Sequence, residues 1–500
     1  MEALQSLMHG FSISCEPMNL FYCVAGVVFG VFIGALPGLG PTAGIAILLP
    51  VTYGMNPVGG IIMLAGIYYG AMYGGAITSI LINTPGDPSS VMTLLDGYPM
   101  TKNGKPGEAL GIAAISSLIS GSLSLLAFTF LAPSLAGFAL SFGPPEYFAL
   151  MFMGLTAIGG MTGKNPFKGY LSALLGLFFG LVGLDLVMGD SRFIFFGFME
   201  LYEGIDFIPV AMGLFGIAEI IESAADENPI KISKEEITWR KQLPPKEDMK
   251  ICMPHMLRSS FLGFLVGLLP GAGATISSFM AYSFAQKVSK RGHLFGTGLP
   301  EGVAAPESAN SATALGSMIP MLTLGVPGSG ATAMMLGALM MFDMNPGPML
   351  FTKDPDFVWG LISSMYIGNF LLLIIAMLCL PMFVRILNVS MPILNAAVMA
   401  FILVGAFCLN NSMFDVGLTI FFGVVGYLMK KAKLPASPMV LALILGALLE
   451  SALRRSLIIS GGSAMIFFER PLSCGIMVVG IGTLLWPLLM ILKKRLVRRA

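Results

Sequence analysis

Charge is what this chain has least of. Its 500 residues include 28 Lys+Arg and 27 Asp+Glu, 11% in all, against 56% hydrophobic residues, where soluble chains carry roughly a quarter charged residues. So few charges cannot cover globular domains of this size, and the bilayer must be the solvent for most of the chain. A formal net charge of +1 leaves no basic excess for a nucleic-acid footprint, so no nucleic-acid partner is expected. The six cysteines (Cys15, Cys23, Cys252, Cys379, Cys408, Cys474) form no CxxC pair, and most sit in apolar runs as small hydrophobes. Neither a disulfide framework nor a zinc site is supported. The three histidines (His9, His255, His293) are far apart, and both HExxH and GxxxxGK[ST] are missing. A metalloprotease or an ATPase is therefore disfavoured, no catalytic residue or cofactor is expected, and an ion gradient is the natural driving force. No Lys or Arg precedes Lys102. The first apolar stretch thus lacks the positive region of a secretory signal and is expected to stay on the mature protein.

What the chain does have is long apolar runs. They fall around 20 to 52, 57 to 82, 107 to 142, 145 to 160, 166 to 186 and 207 to 223, then near 257 to 286, 311 to 342, 357 to 384, 392 to 410, 413 to 429, 438 to 453 and 474 to 492. Between the two sets lies a dense mixed-charge stretch, 224 to 256, broken by Pro229, Pro244 and Pro245. The division expected is a first membrane repeat (1–223), a cytoplasmic polar linker (224–256), a second membrane repeat (257–492) and a basic cytoplasmic tail (493–500). Basic loops stay cytoplasmic. Placing Lys102/Lys105, Lys164/Lys168, the linker, Lys287/Lys290/Arg291, Arg385, Lys430/Lys431/Lys433 and the tail on that side makes 107 to 142 run outward and 357 to 384 inward. Arg192, Lys353 and Arg454/Arg455 are exceptions to this scheme.

The two halves repeat. GALPGLGPTAG (Gly34 to Gly44) is matched by GLLPGAGATIS (Gly267 to Ser277), and ILINTPGDPSS (Ile80 to Ser90) by MLTLGVPGSGAT (Met321 to Thr332). PPEYFALMFMGL (Pro144 to Leu155) has its counterpart in MPILNAAVMAFILVG (Met391 to Gly405). One Pro-Gly pair in a membrane helix means only a kink. Four breaks in the same order, in segments that run in opposite directions, predict an all-α polytopic membrane protein. It would have about 10 to 13 membrane segments in two inverted repeats, with Pro-Gly-broken or re-entrant helices.

A helix stopped at membrane depth leaves backbone N–H and C=O groups that lipid cannot satisfy, so the break must line a cavity or be buried in protein. In secondary transporters the positive end of such a half-helix faces an anion, and freed carbonyls hold a small cation such as Na⁺. Thr78, Ser79, Asn83, Thr84, Ser89 and Ser90 surround Pro85/Gly86, and Thr323, Ser329 and Thr332 surround Pro327/Gly328. Their hydroxyls and amides suit a carboxylate; the alternative for each is helix packing by small residues. Asp87 is either a cation ligand or an aqueous helix end. Glu301 and Glu307, with Asn310, suit a gate or a structural role as well as ligand contact. Asp96 reads as loop-ordering turn chemistry, and Arg454/Arg455 beside Glu450 as a charge-paired helix end or an anion contact, the former preferred.

The stretches Gly34 to Pro50, Tyr73 to Gly121 and Glu301 to Thr332 resemble the large membrane subunit of the tripartite tricarboxylate transporters, the TctA family, and the likeness extends over nearly the whole chain. Two departures are Ser311, where the family favours Asn, and Leu315, where it favours Gly. The resemblance implies a cation-coupled importer of organic polyanions such as citrate in a prokaryotic inner membrane. It also implies a small membrane subunit of about four spans and an extracytoplasmic binding protein that delivers the ligand.

The mechanism expected has the anion held by Asn83, Thr84, Pro85, Gly86, Ser89, Ser90, Pro327, Gly328, Ser329 and Thr332. Na⁺ would be held by the backbone carbonyls of Gly38, Leu39, Gly40, Gly271, Ala272 and Gly273. The alternative is a channel in which the same breaks form a selectivity filter.

Overall fold

In the computed structural model, residues 2–36, 39–157, 166–185, 190–194, 198–225, 242–269, 273–386 and 391–497 are described. The first half contains α1 (Glu2–Ser14), α2 (Pro17–Gly34), α3 (Pro41–Leu48), α4 (Pro57–Ile82), α5 (Val91–Lys102), α6 (Pro106–Ala139), α7 (Pro144–Ala157) and α8 (Pro166–Gly180). A two-stranded antiparallel ribbon follows, β1 (Gly183–Leu184) and β2 (Ser191–Arg192). Then α9 (Phe207–Ala211) continues through a π-helical turn, Met212–Ile217, into α10 (Ala218–Ala225). The second half contains α11 (Lys246–Gly267), α12 (Gly273–Val288), α13 (Pro300–Leu324), α14 (Gly330–Met341), α15 (Leu350–Lys353), α16 (Pro355–Ile386), α17 (Met391–Asn410), α18 (Met413–Lys431), α19 (Ser437–Ile459), α20 (Ile466–Glu469) and α21 (Pro471–Val497). α11 thus begins inside the mixed-charge stretch, at Lys246. Proline stands at the first turn of α2, α3, α4, α6, α13 and α19, where its missing N–H costs nothing.

The all-α membrane architecture is borne out. Among the described residues, six helices are long and apolar enough to cross a bilayer: Pro17–Gly34, Pro57–Ile82, Pro106–Ala139, Pro355–Leu378, Met413–Lys431 and Ser437–Ile459. Shorter apolar helices accompany them, including α14. α2 meets the length test but does not run the full depth of its neighbour. A Cβ added at Gly26, Gly30 or Gly34 would lie 2.3, 2.6 and 2.2 Å from the carbonyl oxygens of Met63, Ile67 and Ala71. The register climbs in step along both helices, so α2 and α4 run parallel in a small-residue seam that lets their backbones touch. α2 therefore ends beside Ala71, roughly 16 Å short of the end of α4 at 1.5 Å per residue. α3 then returns: a Cβ on Gly44 would meet Ile67, and one on Gly60 would lie 3.4 Å from Thr52 just past the end of α3. The run 20 to 52 is re-entrant: α2 runs alongside α4 only to mid-depth, and α3 runs back.

The second half repeats this construction. Added Cβ atoms at Gly263 and Gly267 would lie 2.3 and 2.7 Å from the carbonyls of Ala309 and Thr313, again in rising register. α12 returns along α13, with Ser277 at 2.7 Å from Thr313 and Ser289 at 3.2 Å from Glu301. The run 311 to 342 likewise divides, at Gly325, into α13 and α14. α6 packs on α13 and α16 on α1, α4 and α6, while α7, α8, α17, α18, α19 and α21 pack largely on one another and on the α9–α10 segment.

Candidate functional site

α4 ends on Asn83, whose φ of 57° is the left-handed cap that Asn and Gly supply. α13 ends in the same way on Gly325, with φ of 69°. From each cap the chain does not continue outward but doubles back along the helix it has just left. A Cβ on Gly86 would lie 2.5 Å from the Cα of Gly75 and 2.6 Å from the carbonyl of Gly34, and one on Gly328 would lie 2.9 Å from the Cβ of Ser317. Glycine is required at the first of these because nothing larger fits between the two backbones. Both segments then restart as helices from mid-depth, each through a capping box. The Asp87 carboxylate accepts from the Ser90 N–H at 3.2 Å while Ser90 Oγ accepts from the Asp87 N–H at 3.3 Å. Ser329 Oγ accepts from the Thr332 N–H at 3.2 Å while Thr332 Oγ1 accepts from the Ser329 N–H at 2.8 Å. Asp87 and Ser329 share an extended backbone, φ −144° and −153°. The two breaks are thus one structure built twice. α5 climbs back to the end it left, where Thr101 donates to the Ile80 carbonyl at 2.7 Å.

The two restarts and the α3 start converge. Tyr68 on α4 is 1% exposed, and its hydroxyl lies 3.2 Å from both Ser317 Oγ and Ser329 Oγ. A Cβ on Gly40, ahead of α3, would lie 3.3 Å from the Asp87 Cβ, and one on Gly330 would lie 3.0 Å from Thr42 Oγ1 and 3.2 Å from Ser437 Oγ. The N-terminal ends of three short helices therefore meet near mid-depth, where aligned N–H groups favour negative charge. At the first end that field is already answered: the Asp87 carboxylate takes the N–H groups of Ser89 and Ser90 and the Ser89 hydroxyl, the last at 2.6 Å. At the second the cap is a neutral hydroxyl, and the N–H groups of Gly330 and Ala331 have no partner among the described residues.

Of the residues singled out from the sequence, Pro85, Gly86, Ser89, Ser90, Pro327, Gly328, Ser329 and Thr332 lie in or beside the two re-entrant turns. Ser89 and Ser90 turn their hydroxyl protons inward, to Asp87 Oδ2 and to the Asp87 carbonyl. Thr332 does the same toward the Ser329 carbonyl. Asn83 and Thr84 lie apart. Asn83 is exposed at the cap, roughly 12 Å along α4 from Gly75, and Thr84 donates to the carbonyl of Ile82. Leu39 and Gly40 do lie at the centre, and Gly273 opens α12 with φ of 65°. Gly38, Gly271 and Ala272 lie outside the described residues. Tyr68, Gly75, Thr42, Ser317 and Ser437 belong to the site and were not singled out. Tyr68 and Gly75 sit in a run of Gly and Tyr whose alternation of small and bulky residues was the available signal.

The charged residues sort by position. Asp96 is inside α5, not in a turn, and orders a loop of the opposite half: its Oδ1 accepts from the N–H groups of Gly296, Gly298 and Leu299 at 2.8 to 2.9 Å, and its Oδ2 from Tyr282 at 2.8 Å. Glu301 pairs with Arg291 at 2.5 Å. Arg454 is charge-paired, at 2.9 Å from Asp185 and 2.8 Å from Glu450, in a cluster that Arg192 completes. Arg455 instead lines a cavity of about 410 Å³ with Tyr147, Ser451 and Gly325, which opens beside the cap of α13.

Facing half-helix ends at mid-depth, on re-entrant segments related by an inverted repeat, define the architecture of a secondary transporter. A family model described as the tripartite tricarboxylate transporter TctA family matches residues 20–441. The chain belongs to the TctA family, and so to the membrane subunits of tripartite tricarboxylate transporters. An uncharacterised 52.8 kDa protein in the TAR-I ttuC' 3' region of Agrobacterium vitis is 40% identical over 491 residues, covering 98% of this chain and 97% of the relative. A second A. vitis protein, from the TAR-II ttuC' 3' region, is 40% identical over 219 residues, covering 44% of this chain and 90% of the relative. No solved structure matches.

Proposed function

We propose that this subunit imports a tricarboxylate or a related organic anion across a prokaryotic inner membrane, driven by a cation gradient, with Na⁺ as the coupling ion. An extracytoplasmic binding protein delivers the anion, and a small four-span subunit completes the membrane complex. The observation that carries this reading is the asymmetry between the two caps. The N-terminus of α14 offers Gly330 and Ala331 N–H groups and the Ser329 hydroxyl with no carboxylate of its own, whereas the Asp87 carboxylate fills the equivalent place before α5. The anion belongs at the first and a cation beside the second, near the backbone of Leu39 and Gly40. Two negative charges at mid-depth require that cation, because the low dielectric magnifies their repulsion.

The test is uptake of labelled di- and tricarboxylates, citrate included, into proteoliposomes holding the chain and its small subunit, with binding protein outside and an imposed Na⁺ or H⁺ gradient. Concentrative uptake that needs the binding protein and one gradient supports the reading. Anions that merely equilibrate, with neither, make the protein a channel.

A further inference from the structure

Beyond the two breaks, one group in the core has no electrostatic answer. Glu307, on α13, is 0% exposed. Its Oε1 accepts from Thr93 on α5 at 2.5 Å, but its Oε2 has no partner. The charged neighbour that it senses is another carboxylate, Asp87, and no basic side chain among the described residues pairs with it. The nearest ion pair along α13, Arg291 with Glu301, is closed on itself nearly two turns away.

Two more unsatisfied oxygens share its surroundings. Asn310 follows at i+3, on the same face of α13. It is 0% exposed, directs its amide toward the Met72 carbonyl at 3.5 Å and leaves Oδ1 without a partner. Tyr73, next along α4, is 1% exposed, lies within electrostatic reach of Glu307 and leaves its hydroxyl unpartnered. Ser311 faces away, toward Ser117 of α6, while Ser308 accepts from Ser120 through its backbone carbonyl and leaves its own hydroxyl without a partner.

An unpaired buried carboxylate is costly, and each further unsatisfied buried polar group adds to that cost. A proton on Glu307 would remove the charge and, on Oε1, could be donated to Thr93 Oγ1, but it would leave Oε2, Asn310 Oδ1 and the Tyr73 hydroxyl without partners. A hard monovalent cation answers all three oxygens together. Ligands about 2.4 Å from one ion stand roughly 3.4 to 4.8 Å from one another, too far apart for mutual hydrogen bonds, and none of these three oxygens is hydrogen-bonded to another. All three are oxygen donors, which suits Na⁺ better than a softer metal.

We infer that Glu307 Oε2, Asn310 Oδ1 and the Tyr73 hydroxyl form a Na⁺ site between α13 and α4, separate from the backbone carbonyls near Gly40. The site deepens the cation-coupled reading above and rests on it. It links the ion to the anion through two contacts: Thr93 joins Glu307 to α5, which follows the turn that Asp87 caps, and α13 carries Ser317, which Tyr68 joins to the Ser329 cap. Na⁺ between α13 and α4 therefore holds together the helices that carry both caps, and its charge offsets the second core carboxylate before an anion arrives.

The experiment is equilibrium binding of ²²Na⁺ to the full-length chain in nanodiscs, without substrate or partners, for wild type, Glu307→Gln, Asn310→Ala and Tyr73→Phe. Elution profile and melting temperature report folding. The expected result is saturable binding that K⁺ does not displace, weakened at least tenfold by Glu307→Gln and several-fold by Asn310→Ala. Wild-type ²²Na⁺ affinity in folded Glu307→Gln overturns the site. If that variant does not fold, unchanged affinity in both Asn310→Ala and Tyr73→Phe overturns it equally. If wild type binds no ²²Na⁺ while proteoliposome uptake follows a proton gradient, the site falls and cation-coupled import stands. Uptake that ignores every gradient overturns both.

Discussion

The two breaks share almost every backbone feature and differ in one side chain at the cap. Both begin on a left-handed residue, double back through Pro-Gly, and restart a helix with a reciprocal cap to the third residue. The first cap is Asp87 and the second Ser329. A duplicated scaffold thus yields two half-helix ends of equal field but opposite occupancy. One is capped by a carboxylate of the chain itself, and the other by a neutral hydroxyl, which is where the proposed import would place the anion. An anion transporter needs this inequality, since two identical ends would both attract the anion or both reject it.

The largest effect is expected from removing that inequality. Ser329→Asp places a carboxylate over the N–H groups of Gly330 and Ala331. Asp caps helices as well as Ser does, so folding should survive. Anion uptake should fall at least about 100-fold, equal to about 2.7 kcal/mol of binding, as measured in proteoliposomes beside an unchanged melting temperature. Retained uptake would move the anion site away from α14. The converse change, Asp87→Asn, keeps the cap and removes the charge, and uptake should lose its steep dependence on the cation.

Next in size is a contrast in stability between the two glycines. Gly86→Ala drives a methyl into backbone at 2.5 and 2.6 Å, whereas Gly328→Ala meets one side-chain carbon at 2.9 Å and a carbonyl only at 3.3 Å. Overpacking against immovable backbone costs about 1 to 3 kcal/mol or more, so Gly86→Ala should lower the melting temperature clearly more than Gly328→Ala. Equal shifts would mean that the two turns are not packed as unequally as they stand here. A smaller effect is expected at Tyr68. Tyr68→Phe keeps the packing but removes the hydroxyl that joins Ser317 to Ser329, a loss of about 1 kcal/mol. The half-saturating anion concentration should rise several-fold while the cation dependence stays put.

How much of this was legible follows from what a sequence encodes. The Pro-Gly pairs mark where helices must stop, because proline lacks an N–H and glycine alone accepts close backbone approach, so both breaks and their repetition could be read directly. Depth could not. Asn83 looks like a ligand beside a break, but only the doubling back of the chain shows that it caps the far end of α4 while Gly86 and Asp87 return to mid-depth. The run 20 to 52 carries its break in GALPGLG, but the sequence does not say whether the chain crosses or turns back there, because that depends on where α2 ends beside α4. Asp96 beside Gly97 reads as a turn, yet tertiary contact with the 296–299 loop holds it in a helix. Tyr68 carries no motif at all, and its role arises only from partners on α13 and at the Ser329 cap.

The smallest effect expected separates two adjacent arginines and asks whether the open cap communicates with the surface. Arg454 is committed to Asp185 and Glu450, so Arg454→Gln should loosen the β1–β2 ribbon from α19 and cost stability with little effect on the anion. Arg455 faces the cavity that ends at Gly325, a few residues from the Ser329 cap. An exposed cation at the mouth of such a passage acts mainly on encounter, raising association through the field at the entrance while adding little to the bound state. Arg455→Gln should therefore slow uptake a few-fold at low ionic strength and leave the maximal rate nearly unchanged. The difference from wild type should fade as salt shortens the screening length to about 8 Å near 0.15 M. A salt-independent loss would place Arg455 in direct contact with the bound anion, and no loss at all would make the cavity a dead end, with the anion reaching α14 by another route.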